Sequence, residues 1–173
     1  MIITISGTPG CGKTYLAKKM SKESNSRLEY FDLNKYIKDN KIYDSYDKLA
    51  KTYDVDTKVL KSIIEPTFRN EYSKNPEMEK LVNKTINIKK FLQIISKISK
   101  NKIEGVIIDS HLSHYLKSDY CIIIKTDIKN INKRLSQRKY TKAKIHENIE
   151  SEIFDICMQE AKVLKRKIIT IEN

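Results

Sequence analysis

Near the start of the chain, Gly7-Thr8-Pro9-Gly10-Cys11-Gly12-Lys13-Thr14 fits the pattern G-x-x-x-x-G-K-[ST] without a mismatch. Each residue type at that spacing has a chemical task. Glycines let the backbone wrap close to phosphate oxygens, with N–H groups turned inward at the positive end of a helix. Lys13 is then placed to reach the β- and γ-phosphates of a nucleoside triphosphate, and the Thr14 hydroxyl to ligate magnesium. ATP and Mg2+ are the expected ligands. Cys11 fills a variable place in the pattern and reads as a passive side chain.

Such a loop needs a second anchor for the metal, an acid at the end of another buried strand. Val106-Ile107-Ile108-Asp109 supplies one. Two residues on stands His111. It is either a satisfied surface histidine or a group that orients an attacking water or phosphate near the γ-position. Arg134 and Arg138 fall one helical turn apart, ahead of a polar break. They suit a lid over a transferring phosphate, or else a solvated basic face. Arginine is scarce here and lysine abundant, which favours a role that needs the planar fork.

The elements that must position these groups follow from hydrophobic patterning. Short apolar runs at residues 1–6, 28–31, 105–109, 120–125 and 167–171 read as strands. Helices are expected over 15–24, over 33–38 with Asp32 as cap, and over 57–65 up to Pro66. Pro76 is placed to start one long helix from Glu77 toward Lys100, striped by Leu81, Ile88, Phe91, Leu92, Ile95 and Ile98. Residues 127–139 read as another helix. After a break at 140–144 a further helix passes through Ile149, Ile153, Ile156 and Leu164. The tyrosine- and aspartate-rich stretch 41–56 reads as loop with short helical turns. Alternating strands and helices, with several strands continuously apolar, predict an α/β fold: one domain with a parallel sheet covered on both faces.

Composition limits the partners. The chain has 173 residues and a net charge of +12, which attracts polyanions without specifying which. A nucleic-acid-rich setting or a compositional bias toward Lys, Ile and Asn would both give that charge. No apolar stretch approaches the ~20 residues that cross a bilayer, so no membrane partner is expected. The opening MIITI has no leader pattern, and the expected location is cytoplasmic. Cys11, Cys121 and Cys157 form no pair or metal spacing, and reduced thiols are expected.

Taken together, GTPGCGKT, the Asp-x-His at 109–111, RLSQRKY, ENIESEIF and the motifs IYDSYD and TYDVD resemble one family. It is the adenylate kinase isoenzyme 6 family, also called the coilin-interacting nuclear ATPase family, which has archaeal members. The resemblance implies a nucleoside-monophosphate-kinase fold with a five-stranded parallel sheet, a monophosphate-binding region near residues 30–53 and a lid near 137–147. It implies a broad-specificity nucleoside monophosphate kinase acting on ATP and AMP that also hydrolyses ATP. It also implies work in late maturation of the small ribosomal subunit, close to rRNA, with transient binding of ribosomal protein uS11. By the same resemblance Gly10, Gly12, Lys13, Thr14 and Tyr15 hold ATP, and Arg138 closes from the lid. Asp109 and His111 form the acid–histidine pair of hydrolysis. Three features depart from the family pattern. After Asp32-Leu33 the chain has Asn34 and Lys35 where an arginine is expected for the monophosphate, so Asp32 and Lys35 are the candidates there. Lys139 stands where glycine is expected, and residues 66–100 exceed the usual link and predict an added helical insertion.

Overall fold

The computed structural model describes residues 1–48, 52–68, 75–99, 104–138 and 140–173. Strand β1 (Ile2–Ser6) runs into helix α1 (Lys13–Glu23), followed by β2 (Leu28–Asp32) and α2 (Leu33–Asp39). A small hairpin, β3 (Ser45–Asp47) and β4 (Thr52–Asp54), precedes α3 (Thr57–Thr67). Next come α4 (Pro76–Glu79), β5 (Thr85–Asn87) and α5 (Ile88–Ser99). The chain continues through β6 (Gly105–Asp109), a single 3-10 turn at Ser113–Tyr115, and β7 (Tyr120–Lys125). It closes with α6 (Ile128–Gln137), α7 (Lys142–Ile153), α8 (Ile156–Val163) and β8 (Ile168–Glu172).

Six strands form one parallel sheet in the order β2-β6-β1-β7-β8-β5. Alternation along the strands sorts the core into two faces. Ile3, Ile5, Ile107, Ile122 and Ile169 pack with Leu16 and Ala17 of α1 and Phe91 of α5. On the other face Ile2, Val106 and Ile108 meet Leu33 and Ile37 of α2 and Leu60 and Ile64 of α3. Each such side chain contributes roughly 1.5–3 kcal/mol on burial, so the central strands are held firmly. β1 is the switch point: its two neighbours, β6 and β7, are reached by connections running in opposite directions. Ligands of such sheets bind at the carboxyl ends of the strands beside that point.

Several expectations need correction. Residues 77–99 are not one helix. Asn83 adopts a left-handed conformation (φ 61°) and donates its N–H to Ile168 O at 2.7 Å. Residues 85–87 then pair with β8, adding a sixth strand to the five expected, and Asn87 Oδ1 restarts the helix by accepting from Lys89 N at 2.9 Å. Lys100 lies outside the described residues. The stretch 41–56 holds an antiparallel hairpin rather than helical turns, because Tyr46 pairs with Tyr53 and the rings of Tyr43 and Tyr46 both pack on Tyr53. The last helix is two. Asp155 takes φ 53° and its carboxylate pairs with Lys125 Nζ at 2.5 Å, turning α8 back along the sheet. Pro66 sits inside the last turn of α3 instead of ending it. Among the described residues no helix is long and apolar enough to cross a membrane.

Candidate active site

The glycine-rich loop joins the buried end of β1 to the first turn of α1. Gly7 has φ 140°, and a Cβ there would lie 2.7 Å from the Ile124 carbonyl oxygen, so the loop must hug β7 without a side chain. Gly12 has φ 108° and aims the following amides into α1. Neighbouring elements brace the loop from outside. Thr126 Oγ1 and Asn173 Nδ2 both donate to Cys11 O, at 3.0 and 2.7 Å, and Arg134 Nη1 donates to Gly10 O at 2.9 Å. Burial pushes the Cys11 thiol up, which suits a passive side chain.

Inside the loop, Lys13 Nζ donates to Gly7 O at 2.7 Å and Thr8 O at 3.0 Å. Thr14 Oγ1 donates to Asp109 Oδ2 at 2.6 Å, and the Tyr30 hydroxyl reaches the same oxygen at 3.2 Å. Asp109 is 2% exposed, and its Oδ1 is buried with no hydrogen-bond partner among the described residues. Burial raises its carboxyl above the usual range, opposed by the Thr14 hydrogen bond and by Lys13. A buried carboxylate oxygen without a partner is costly unless a cation serves it. A hydroxyl and a carboxylate meeting beside a lysine form an all-oxygen set that fits magnesium.

His111 and Asp109 flank Ser110 at the carboxyl edge of β6. Burial, with Lys13, His114 and Lys144 adding, pushes the His111 imidazole down to about 4, so it is neutral at neutral pH. Its carbonyl accepts from Ser6 Oγ at 3.0 Å. Ser6 Oγ also meets His114 Nδ1 at 2.8 Å, and His114 Nε2 meets Glu160 at 3.0 Å. His114 is 1% exposed, and burial lowers its basicity while Glu160 opposes that. This chain of bonds ties α8 to the backbone that carries His111.

Lys13, Thr14, Asp109, His111, His114 and Glu160 open on one cleft of about 1260 Å³. Gln137, Arg138, Lys144 and Glu147 line it. Among the described residues the Arg138 guanidinium has no hydrogen bond or ion pair, while its backbone N–H donates to Leu135 O at 3.0 Å. Lys139 lies outside them. Tyr15 lines the cleft with 56% of its surface exposed. On the far side of Asp109 the wall is Asn34, Ile37, Tyr53 and Val55. Neither Asp32 nor Lys35 lines the cleft. Asp32 caps α2 by accepting from Lys35 N at 2.9 Å, and the Lys35 side chain is exposed. Asn34 Oδ1 accepts from Ser110 Oγ at 2.9 Å and so links α2 to the loop between Asp109 and His111. Tyr30, Asn34 and Asn173 were not legible as site residues, since each arrives through the order of the strands rather than by a local motif, and His114 was not, since its partners Ser6 and Glu160 are distant in the chain.

A parallel sheet with a glycine-rich loop at its switch point and an acid on the adjacent strand defines a P-loop nucleotide-binding protein of the kinase type. A family model described as "AAA domain" matches residues 3–155. The chain is 31% identical over 162 residues to a Methanocaldococcus jannaschii protein named "Putative adenylate kinase", covering 94% of this chain and 72% of that one. It is 30% identical over 163 residues to the "Adenylate kinase isoenzyme 6 homolog" of Schizosaccharomyces pombe, covering 92% and 73%. The chain belongs to this adenylate-kinase-like family of P-loop kinases. Among solved structures, shikimate kinase from Bacteroides thetaiotaomicron overlays with a TM-score of 0.47 at 12% identity, over 100% of this chain and 85% of that one.

Proposed function

We propose that the protein transfers the γ-phosphoryl group of Mg·ATP to a nucleoside monophosphate, AMP first among them. An oxygen of the acceptor phosphate attacks the γ-phosphorus, the bond to the β-γ bridging oxygen breaks, and two nucleoside diphosphates result. The observation that carries this reading is the continuity of the cleft. It extends from the glycine-rich loop past Asp109 to Asn34 and Tyr53, and its volume exceeds the roughly 300–1,000 Å³ that serves one ligand. Lys13 and Arg138 would neutralise the transferring phosphate, and Thr14 and Asp109 would hold magnesium, which spreads the developing charge. The neutral His111 would orient the attacking oxygen. A cytoplasmic location goes with this reading.

A second reading is an ATP-hydrolysing assembly factor for the late small ribosomal subunit, engaging uS11 near rRNA. The net charge of +12 and the exposed Lys35, turned out of the cleft on the acceptor side, favour it. Incubation with Mg·ATP, with and without AMP, separates the two when ADP and free phosphate are followed. ADP that forms with AMP and without phosphate supports the kinase. Phosphate release independent of AMP and stimulated by uS11 supports the assembly factor. Lys13→Ala should abolish both activities, and if it left both untouched the P-loop reading would be wrong. His111→Ala should weaken turnover more than ATP binding, whereas equal losses would remove His111 from its role.

A further inference from the structure

The sheet gives the cleft a direction. Asp109, the acid nearest the expected terminal phosphate, ends β6 on one side of β1. Strands β7, β8 and β5 lie on the other side. A triphosphate with its terminal phosphate toward Asp109 and its middle phosphate over Gly12 and Lys13 therefore sends its nucleoside past Tyr15, toward β8 and β5.

The segment beyond the usual link arrives at that place. Asn87 pairs with Glu172, so the next residues, Ile88 and Asn173, leave the sheet side by side at its carboxyl edge. α5 then packs along α1, where Phe91, Leu92 and Ile95 share one core with Leu16, Ala17 and Met20. This brings Ile88, Lys89 and Leu92 onto the same cleft as Tyr15, Lys19 and Asn173.

The side chains at this end suit a nucleoside better than another phosphate. Ile88 and Leu92 present apolar surface. The Tyr15 ring is held by Lys19, whose Nζ donates to the Tyr15 hydroxyl at 3.2 Å and sits 5.5 Å from the ring centre. Asn173 gives its Nδ2 hydrogen to Cys11 O, and its Oδ1 takes no hydrogen bond among the described residues, leaving an acceptor for an amino group.

We propose that β5 and α5 wall the subsite for the nucleoside of the phosphoryl donor, with Ile88 and Leu92 against the base. This gives the added segment a task and rests on the P-loop reading of the site. The wall is specific to the nucleoside, so it affects ATP and leaves a bare polyphosphate nearly indifferent.

Calorimetric titration of the full chain with Mg·ATP and with Mg·tripolyphosphate tests it. Ile88→Ala should weaken ATP binding by about five- to tenfold and tripolyphosphate binding by less than about twofold. Equal losses for both ligands, or no loss for either, overturn the proposal. Should Ile88→Ala fail to fold, hydrogen exchange on the unaltered protein replaces it. Mg·ATP should then protect the peptide spanning residues 85–92 and Mg·tripolyphosphate should not, and equal protection or none overturns the proposal. Failure of the unaltered protein to bind either ligand would remove the P-loop reading and this one with it, a result distinct from lost selectivity.

Discussion

Around the glycine-rich loop, polar groups are tied across the sheet, whereas around the β3–β4 hairpin three tyrosine rings pack at a tilt on one another. Gly10 O is held from α6, Cys11 O from the segment after β7 and from Asn173, and Thr14 by Asp109 of β6. The hairpin instead rests on Tyr43, Tyr46 and Tyr53, with ring centres 4.5 and 4.7 Å apart, and β3 is exposed throughout. The difference teaches where preorganisation is needed. Charge develops at the transferring phosphate, and groups that meet it must already be fixed. On the proposed reading an acceptor enters and leaves beside the hairpin, whose strand β3 is exposed throughout and has little burial to resist movement.

Asp109→Asn breaks this comparison most severely. It removes the charge that would serve magnesium, and turnover should fall about a hundredfold or more in steady-state assays. Stability should move the other way. Burial holds the folded carboxyl above its unfolded value, so the folded chain takes up the proton first on acidification. The group therefore costs stability at neutral pH, and that cost shrinks as pH falls through the folded value. In magnesium-free buffer Asp109→Asn should melt at the same temperature or higher near pH 7. A lower melting temperature would mean that Asp109 is chiefly a structural partner of Thr14.

Tyr53→Ala sharpens the other half. The ring lines the cleft and packs against both other tyrosines, so its loss loosens the wall proposed for the acceptor while the phosphate loop keeps all its braces. The KM for AMP should rise about five- to tenfold, from loss of ring contact, with the KM for ATP unchanged within about twofold. Equal effects on the two substrates would show that the two ends of the cleft are not independent.

The phosphate side was largely legible in the sequence because it is local. Eight contiguous residues carry the loop, and Asp109 and His111 sit within three residues at the end of an apolar run. The five core strands were equally legible, since each carries a short run rich in apolar and β-branched or aromatic residues, even where Glu29 interrupts β2. The rest depends on partners distant in the chain. The stripe from Leu81 to Ile98 does obey a helical period, yet Asn83, Thr85 and Asn87 break it, and a three-residue edge strand gains its hydrogen bonds only from β8. The hairpin was missed because its stabilising periodicity is carried by tyrosines flanked by aspartates, which read locally as turn formers. Asn173 reaches Cys11 across 162 positions, and nothing in its neighbourhood announces it.

The smallest effect is also the most diagnostic of how the braced side works. Tyr30 belongs to β2, at the far edge of the sheet, and its hydroxyl meets Asp109 Oδ2 at 3.2 Å, the oxygen already bonded to Thr14. Burial first, and then the charge of Asp109, push the Tyr30 phenol well above its usual range, so it remains a donor at every working pH. Tyr30→Phe deletes one hydrogen bond and keeps the ring, costing about 0.5–1.5 kcal/mol at most. If the bond merely supports the fold, the melting temperature should drop and kcat should hold. If it fixes the carboxylate for the metal, kcat should fall about two- to fivefold and more magnesium should be needed for half-maximal rate, with little change in melting. The second outcome is expected, because Asp109 Oδ1 has no partner among the described residues while Oδ2 is held by two donors, an asymmetry that leaves one oxygen for a cation.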